Sequence, residues 1–235
     1  MGNDKTEMLL RTLGAADAFA LLAVGFSFPT KELAGALVDG RFASDVEGSL
    51  LDTGATADEA SRIIDNLREA TAGASADELY EALRVDYSAL YYGLGRFRVM
   101  SPYESVFKKL AVNPGARATA FLTKTTHNVE DAMRKRSALP EDYRREPADH
   151  FATELDFVRH LFTGVAAAIA EDDGSQAAEW REDLQCFASM HVEPWIPSLL
   201  ERTAEAAQHP VYRALANFGL YAIDLLLQPM KVDDR

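Results

Sequence analysis

The residues best suited to chemistry lie close together past the middle of the chain. Asp149 and His150 are adjacent, and Glu154 follows His150 by four positions. On a helix that spacing puts His150 and Glu154 on one face. An aspartate beside a histidine could act as an acid–base pair. A histidine with a glutamate could begin a metal site if His160 or His191 folded back to join them. The plainer roles at a helix start are Asp149 accepting backbone N–H bonds and His150 contacting a carboxylate. No nucleophile is recognisable beside them in sequence. P-loop, GxGxxG, HExxH and GxSxG motifs are all missing, and no glutamate has a histidine three residues later, as di-iron bundles require. The single thiol, Cys186, excludes an internal disulfide and reads as core among apolar neighbours. The expectation is a protein with no catalytic residues, no metal and no cofactor.

Helices must position these groups. Period-two alternation is absent, whereas apolar residues recur at helical spacing nearly throughout. Leu9, Leu13, Ala16, Ala20, Ala23 and Phe26 form one stripe, ended by Pro29. Leu79, Leu83, Tyr87, Leu90 and Tyr91 form another, as do Leu155, Val158, Phe162, Val165 and Ile169. Trp180, Leu184, Phe187 and His191 share a face, and so do Tyr212, Leu215, Phe218, Ala222 and Leu226. A further stripe runs from Ala118, Phe121 and Leu122 to Met133. Four Ser/Thr–Glu pairs have capping-box spacing: Ser44 with Glu47, Thr56 with Glu59, Ser75 with Glu78 and Ser101 with Glu104. Gly40, Gly73 and Gly93 stand where helices should end. The pattern predicts an all-α fold, one compact domain of about ten helices over residues 1–235. The weakly patterned stretch Arg136 to Asp149 reads as a hinge or functional loop, with a subdivision into 1–136 and 147–235.

The formal net charge of −13 argues against a nucleic-acid surface and against anionic membranes, and suits a basic partner. The N-terminus lacks the basic and apolar regions of a secretory signal. No uninterrupted apolar run reaches membrane-spanning length; the longest candidate, Ala15 to Phe28, carries Asp17.

Three ordered segments resemble the TorD/DmsD family. Glu146-Pro147-Ala148-Asp149-His150-Phe151-Ala152-Thr153-Glu154-Leu155-Asp156-Phe157 is similar to that family's Pro-x-Asp-His element and its following Glu-Leu-x-Phe helix. Asp86-Tyr87-Ser88-Ala89-Leu90-Tyr91-Tyr92-Gly93, with Ser101-Pro102-Tyr103-Glu104-Ser105-Val106-Phe107, resembles its Tyr-x-x-Leu-Phe-x-Gly segment and Pro-x-Glu-Ser-Val-Tyr turn. His191-Val192-Glu193-Pro194-Trp195 resembles its His-Leu-x-x-Trp element. Val192 stands for the usual leucine and Tyr91 for the usual phenylalanine.

The resemblance implies a helical cytoplasmic chaperone. Such proteins bind the twin-arginine leader, and sometimes the body, of a molybdopterin oxidoreductase until its cofactor is loaded. It also implies that domain-swapped dimers can form. Guanine-nucleotide binding has been suggested for the family, but no phosphate-binding sequence is present here. The residues carried over as leader-binding are Pro147, Asp149, His150, Glu154, Tyr87, Leu90, Tyr91, Tyr103, Glu104, Ser105, His191 and Trp195. A leader that joins two arginines to an apolar stretch needs carboxylates beside an apolar groove. Asp149 and Glu154 would supply the first; Leu90, Tyr91, Tyr87, Tyr103 and Trp195 the second. A helical enzyme or metal-binding protein using His150 with Asp149 or Glu154 is the alternative, and a helical scaffold is a third reading.

Overall fold

Helix α1 (Gly2–Gly25) and helix α8 (Phe151–Ala170) lie against each other through the middle of the molecule. Their apolar faces explain it: Ala15, Ala18, Phe19, Leu22 and Phe26 meet Phe151, Leu155, Val158 and Phe162, all buried. Phe19 stacks on Phe162 with ring centroids 5.7 Å apart, and Phe26 meets Phe151 at 5.0 Å. In this computed structural model residues 2–93, 100–113, 123–141, 143 and 146–227 are described. The other helices are α2 (Lys31–Val38), α3 (Arg41–Thr53), α4 (Ala57–Thr71), α5 (Ala76–Tyr87), α6 (Glu104–Val112), α7 (Lys124–Lys135), α9 (Gly174–Phe187), α10 (Ile196–Ala206) and α11 (Pro210–Leu227). Among the described residues the fold is all-α and carries no strand, only an isolated antiparallel bridge between Tyr103 and His150. Helices α3 and α11 pack on α1, α9 packs on α8, α10 on α11, and α2 on α5. One apolar cluster runs from Ala15 to Leu227 and binds these layers together.

Local chemistry sets several boundaries. Thr56 with Glu59 and Ser75 with Glu78 form full capping boxes at the starts of α4 and α5. Gly40, Gly73 and Gly93 adopt the left-handed backbone at their helix ends. Two other expected boxes do not form. α3 starts three residues before Ser44, because Asp39 Oδ1 accepts the Arg41 N–H and Gly40 turns the chain. α6 is entered from Tyr103, while the buried Ser101 hydroxyl accepts the Tyr103 N–H and Glu104 turns inward. Cys186 is exposed rather than core: on α9 the inward positions are Leu184 and Phe187, and Cys186 lies off that face. Leu13 is exposed too, since α1 presents a face shifted toward Ala15 and Phe19. The stripe at Ala118, Phe121 and Leu122, and the side chain of Leu226, lie outside the described residues.

Asp4–Gly25 of α1 has a mean hydropathy of 1.5, long and apolar enough by composition to cross a membrane. Polar residues punctuate the span, so it holds no uninterrupted apolar run of that length. Here α1 is packed between α8, α3 and α11.

The α1–α3 crossing depends on Gly14. A Cβ there would stand 2.7 Å from Asp52 Cβ and 2.8 Å from the Ser49 carbonyl oxygen. Gly14→Ala gains about 1 kcal/mol of helix propensity but forces two backbones apart, an overpacking cost of roughly 1–3 kcal/mol. At Gly35 in α2 an added Cβ meets nothing within 4 Å. Thermal unfolding should therefore show Gly14→Ala melting below the parent and Gly35→Ala above it. If both shift the same way, the close crossing is wrong.

Candidate functional site

The three segments singled out in the sequence converge on one junction. The Asp149 carbonyl accepts the Glu104 N–H at 2.8 Å, and the Pro102 carbonyl accepts the Phe151 N–H at 2.9 Å. The chain entering α6 is thus stitched to the chain entering α8. The third segment joins through π-helical turns. Ser88–Tyr92 extends α5, and Ala188–Val192 extends α9, each closed by an i to i−5 bond: Gly93 N–H to the Ser88 carbonyl and Glu193 N–H to the Ala188 carbonyl. A π-turn inserts one residue into the helical repeat and re-aims the side chains after it. Here it brings Tyr91 and His191 inward.

Inside the junction the polar groups form two sets. In the first, Glu104 Oε1 pairs with the Lys108 ammonium and Oε2 lies 2.8 Å from His191 Nδ1. Glu154 Oε2 accepts the Trp195 indole N–H at 3.0 Å, and that N–H also reaches the His191 carbonyl. Glu104 and Glu154 have no solvent exposure. Burial, then the Glu104 and Asp149 carboxylates, push Glu154 well above the ordinary carboxylate range. Asp149 is fully buried, and its Oδ2 accepts the Ser105 N–H at 3.0 Å. Burial raises its pKa against the pull of the Ser105 donors.

In the second set His150 caps α8. Its Nδ1 accepts the Ala152 N–H at 3.2 Å, so the ring proton resides on Nε2. Nε2–H then donates to the Tyr87 hydroxyl at 3.3 Å, and Tyr87 donates to the Phe26 carbonyl at 3.2 Å. Burial holds His150 down to about 4, so it is neutral at neutral pH. Tyr103 packs edge-on against the His150 ring and donates from its hydroxyl to Glu146 Oε1 at 2.5 Å.

Of the twelve residues carried over as leader-binding, most are interior. Leu90 and Tyr91 are core, and the Tyr91 hydroxyl is paired with Thr203 Oγ1 at 2.8 Å. Glu104, Ser105, Asp149, Glu154, His191 and Trp195 belong to the buried junction, and Pro147 leads into it. The Asp149–His150 acid–base pair does not form: Asp149 serves Ser105 while His150 faces Tyr87. His150 and Glu154 likewise turn to different neighbours, and His160 lies against the Arg136 carbonyl and the Trp180 ring. Arg136, at the start of the unpatterned stretch, sits 3.9 Å over Trp180 and bonds Asp183.

Tyr87 and His150 do reach a cleft. It has a volume of about 460 Å³ and lies between the end of α1, the first π-turn and the start of α8. Val24, Phe28 and Tyr92, each about half exposed, form an apolar wall. Phe28 meets Tyr87 at 5.5 Å and Tyr92 at 6.4 Å between ring centroids. Glu146 and Asp156 supply carboxylates at its rim, with Arg159 bonded to Asp156 Oδ1 at 2.6 Å. Glu146 and Asp156 lie inside the Pro-x-Asp-His segment, but nothing in their spacing marks them as rim residues. Val24, Phe28 and Tyr92 were not expected at the site either. Phe28 before Pro29, at the mouth of an apolar helix, is the signal the sequence offers for them.

Comparison with known proteins agrees with the segment pattern. The family described as "Nitrate reductase delta subunit" matches residues 54–201, more than half of the chain. Chaperone protein TorD from Vibrio cholerae serotype O1, strain El Tor Inaba N16961, is 26% identical over 141 residues, 59% of this chain and 57% of that protein. The TorD proteins of strains Classical Ogawa 395 and M66-2 match to the same extent. The chain therefore spans little more than half the length of the relatives it matches. With the match running from the end of α3 into α10 and through the whole polar junction, the chain belongs to the TorD-like nitrate reductase delta subunit family.

Proposed function

We propose that this protein is a cytoplasmic chaperone that binds the twin-arginine leader, or the apo form, of a molybdopterin oxidoreductase subunit, assists cofactor insertion and holds back export until the client is folded. The observation that carries the reading is the cleft. It sets an exposed apolar wall of Val24, Phe28 and Tyr92 beside the carboxylates of Glu146 and Asp156. A leader of two arginines and an apolar stretch complements both. Asp149 and Glu154 cannot receive those arginines as they stand, since neither reaches solvent. Their part is to hold the cleft's inner wall, through the Asp149–Ser105 bond and the Glu154–Trp195 bond. The family match and the TorD relatives support the client class.

Each rim carboxylate already has a partner: Tyr103 donates one bond to Glu146, and Arg159 donates one to each oxygen of Asp156. Both keep further acceptor positions, because a carboxylate accepts about four bonds. A charge-assisted bond contributes roughly 1.5–3 kcal/mol when well formed, and about 1.4 kcal/mol is one decade of affinity. The double variant Glu146→Gln, Asp156→Asn should bind a leader peptide at least about tenfold more weakly in calorimetric titration. Its melting curve should stay near the parent's, because surface substitutions usually cost within about 0.5 kcal/mol. Equal affinity in variant and parent would place the leader elsewhere.

A further inference from the structure

We propose that Glu104, Glu154 and His191 form a binding site for one divalent cation of the zinc class, built into the junction of α6, α8 and the second π-turn. One ligand atom from each residue lies within 4.8 Å of the other two, and all three side chains are buried. Zinc binds carboxylate oxygen and imidazole nitrogen at about 2.0–2.2 Å. Ligand atoms around such an ion stand roughly 3.3–4.2 Å apart, so side-chain movements of about half an ångström to one ångström admit it.

Charge points the same way. Asp149, Glu104 and Glu154 are three buried carboxyl groups in one junction, and among the described residues Lys108 is the cation bonded to them. Glu154 Oε1 and Asp149 Oδ1 are buried with no hydrogen-bond partner. Orphaned buried oxygens of this kind are costly unless a cation or proton meets them. A mixed oxygen–imidazole donor set without a thiolate suits zinc, manganese or iron(II) rather than calcium or copper(I). The surrounding bonds would orient the ligands. The Trp195 indole holds Glu154 Oε2 and leaves Oε1 toward the gap, while Glu104 Oε2 faces His191. Such outer contacts fix ligand geometry in metal sites. The ion would tie together the segments that begin α6, begin α8 and end the α9 extension. It would thereby stiffen the wall on which His150 meets the cleft. This site does not depend on what the cleft binds.

The test uses the full chain, stripped with chelator and titrated with zinc, and separately with cobalt(II) as a spectroscopic probe. One equivalent should bind, cobalt should show visible absorption of a nitrogen–oxygen site, and the melting midpoint should rise with free metal. Glu154→Gln keeps an acceptor for Trp195 but removes the anion; it should weaken binding by about tenfold or more. Lys108 is partly exposed and competes with the ion for Glu104. Lys108→Met should therefore tighten binding several-fold, which decides the matter even if the Glu154 variant fails to fold. Absence of stoichiometric uptake means that a proton, not an ion, meets the buried carboxyl oxygens and overturns the proposal. So does uptake that neither substitution alters, because the ion then sits on surface carboxylates.

Discussion

Trp195→Ala should lower the unfolding free energy by about 3–5 kcal/mol, the usual cost of emptying a buried large aromatic site. Trp195 is only 1% exposed and is among the largest fully buried side chains. It packs against Phe107 with ring centroids 5.5 Å apart. Its indole N–H is shared between Glu154 Oε2 and the His191 carbonyl, so truncation removes a donor from two buried acceptors as well as a ring. A domain of this size has a total stability of roughly 5–15 kcal/mol, so the variant should sit near the limit of folding. Trp195→Phe restores most of the volume and not the N–H. It should lose about 1–3 kcal/mol, the cost of leaving a buried acceptor unmet. Urea unfolding followed by circular dichroism measures both. A loss below about 1 kcal/mol in the alanine variant would mean that Trp195 does not anchor the junction.

His150 should make the protein lose stability as pH falls below neutrality. Its pKa is lowered from 6.5 to about 4 by burial. The unfolded chain therefore takes up a proton before the folded chain does. Stability from this group is complete above about 6.5 and drains away as pH drops toward about 4. A tenfold difference in proton affinity between the two states is about 1.4 kcal/mol, so the full swing is about 3 kcal/mol. His150→Asn keeps an oxygen to cap α8 and removes the titration. The gap between parent and variant stabilities should narrow or reverse by about that amount between neutral pH and about pH 4. Glu154 and Asp149 have raised pKa values, and their contribution is lost as pH rises instead. They are present in both proteins and cancel in the comparison. Parallel pH profiles would show that His150 is not held neutral in the fold.

Both effects arise from the same arrangement. The backbone bonds between Pro102–Glu104 and Asp149–Phe151 bring two helix starts side by side. That places the carboxyls of Glu104 and Asp149 in one interior, and the π-turn after α9 adds His191. The outer side of the same stitch carries His150, which lines the cleft, and Tyr103, which packs on His150 and bonds Glu146. A buried polar interior and an apolar, acid-rimmed cleft are thus two sides of one junction.

Local pattern alone identifies the class of fold and the segments that meet in the polar junction. Helical periodicity is local, and each stripe from Leu155 to Ile169 or from Tyr212 to Phe218 needs only one face of one helix to be read. Capping is local as well, which is why Thr56–Glu59 and Ser75–Glu78 were legible. Ser101–Glu104 was not, because Glu104 had a partner 87 positions away in His191, and that contact outweighed the local box. Which carboxylates face water follows from packing instead. Asp149 and Glu154 look like surface acids in any window of the chain, yet the stitching of α6 to α8 seals them. Asp156, two residues further along the same helix, is left outside with Glu146 at the cleft. Spacing along a helix tells which residues share a face; only packing tells whether that face is covered. The physical reason is that burial depends on neighbours brought from distant parts of the chain, and no local pattern records them.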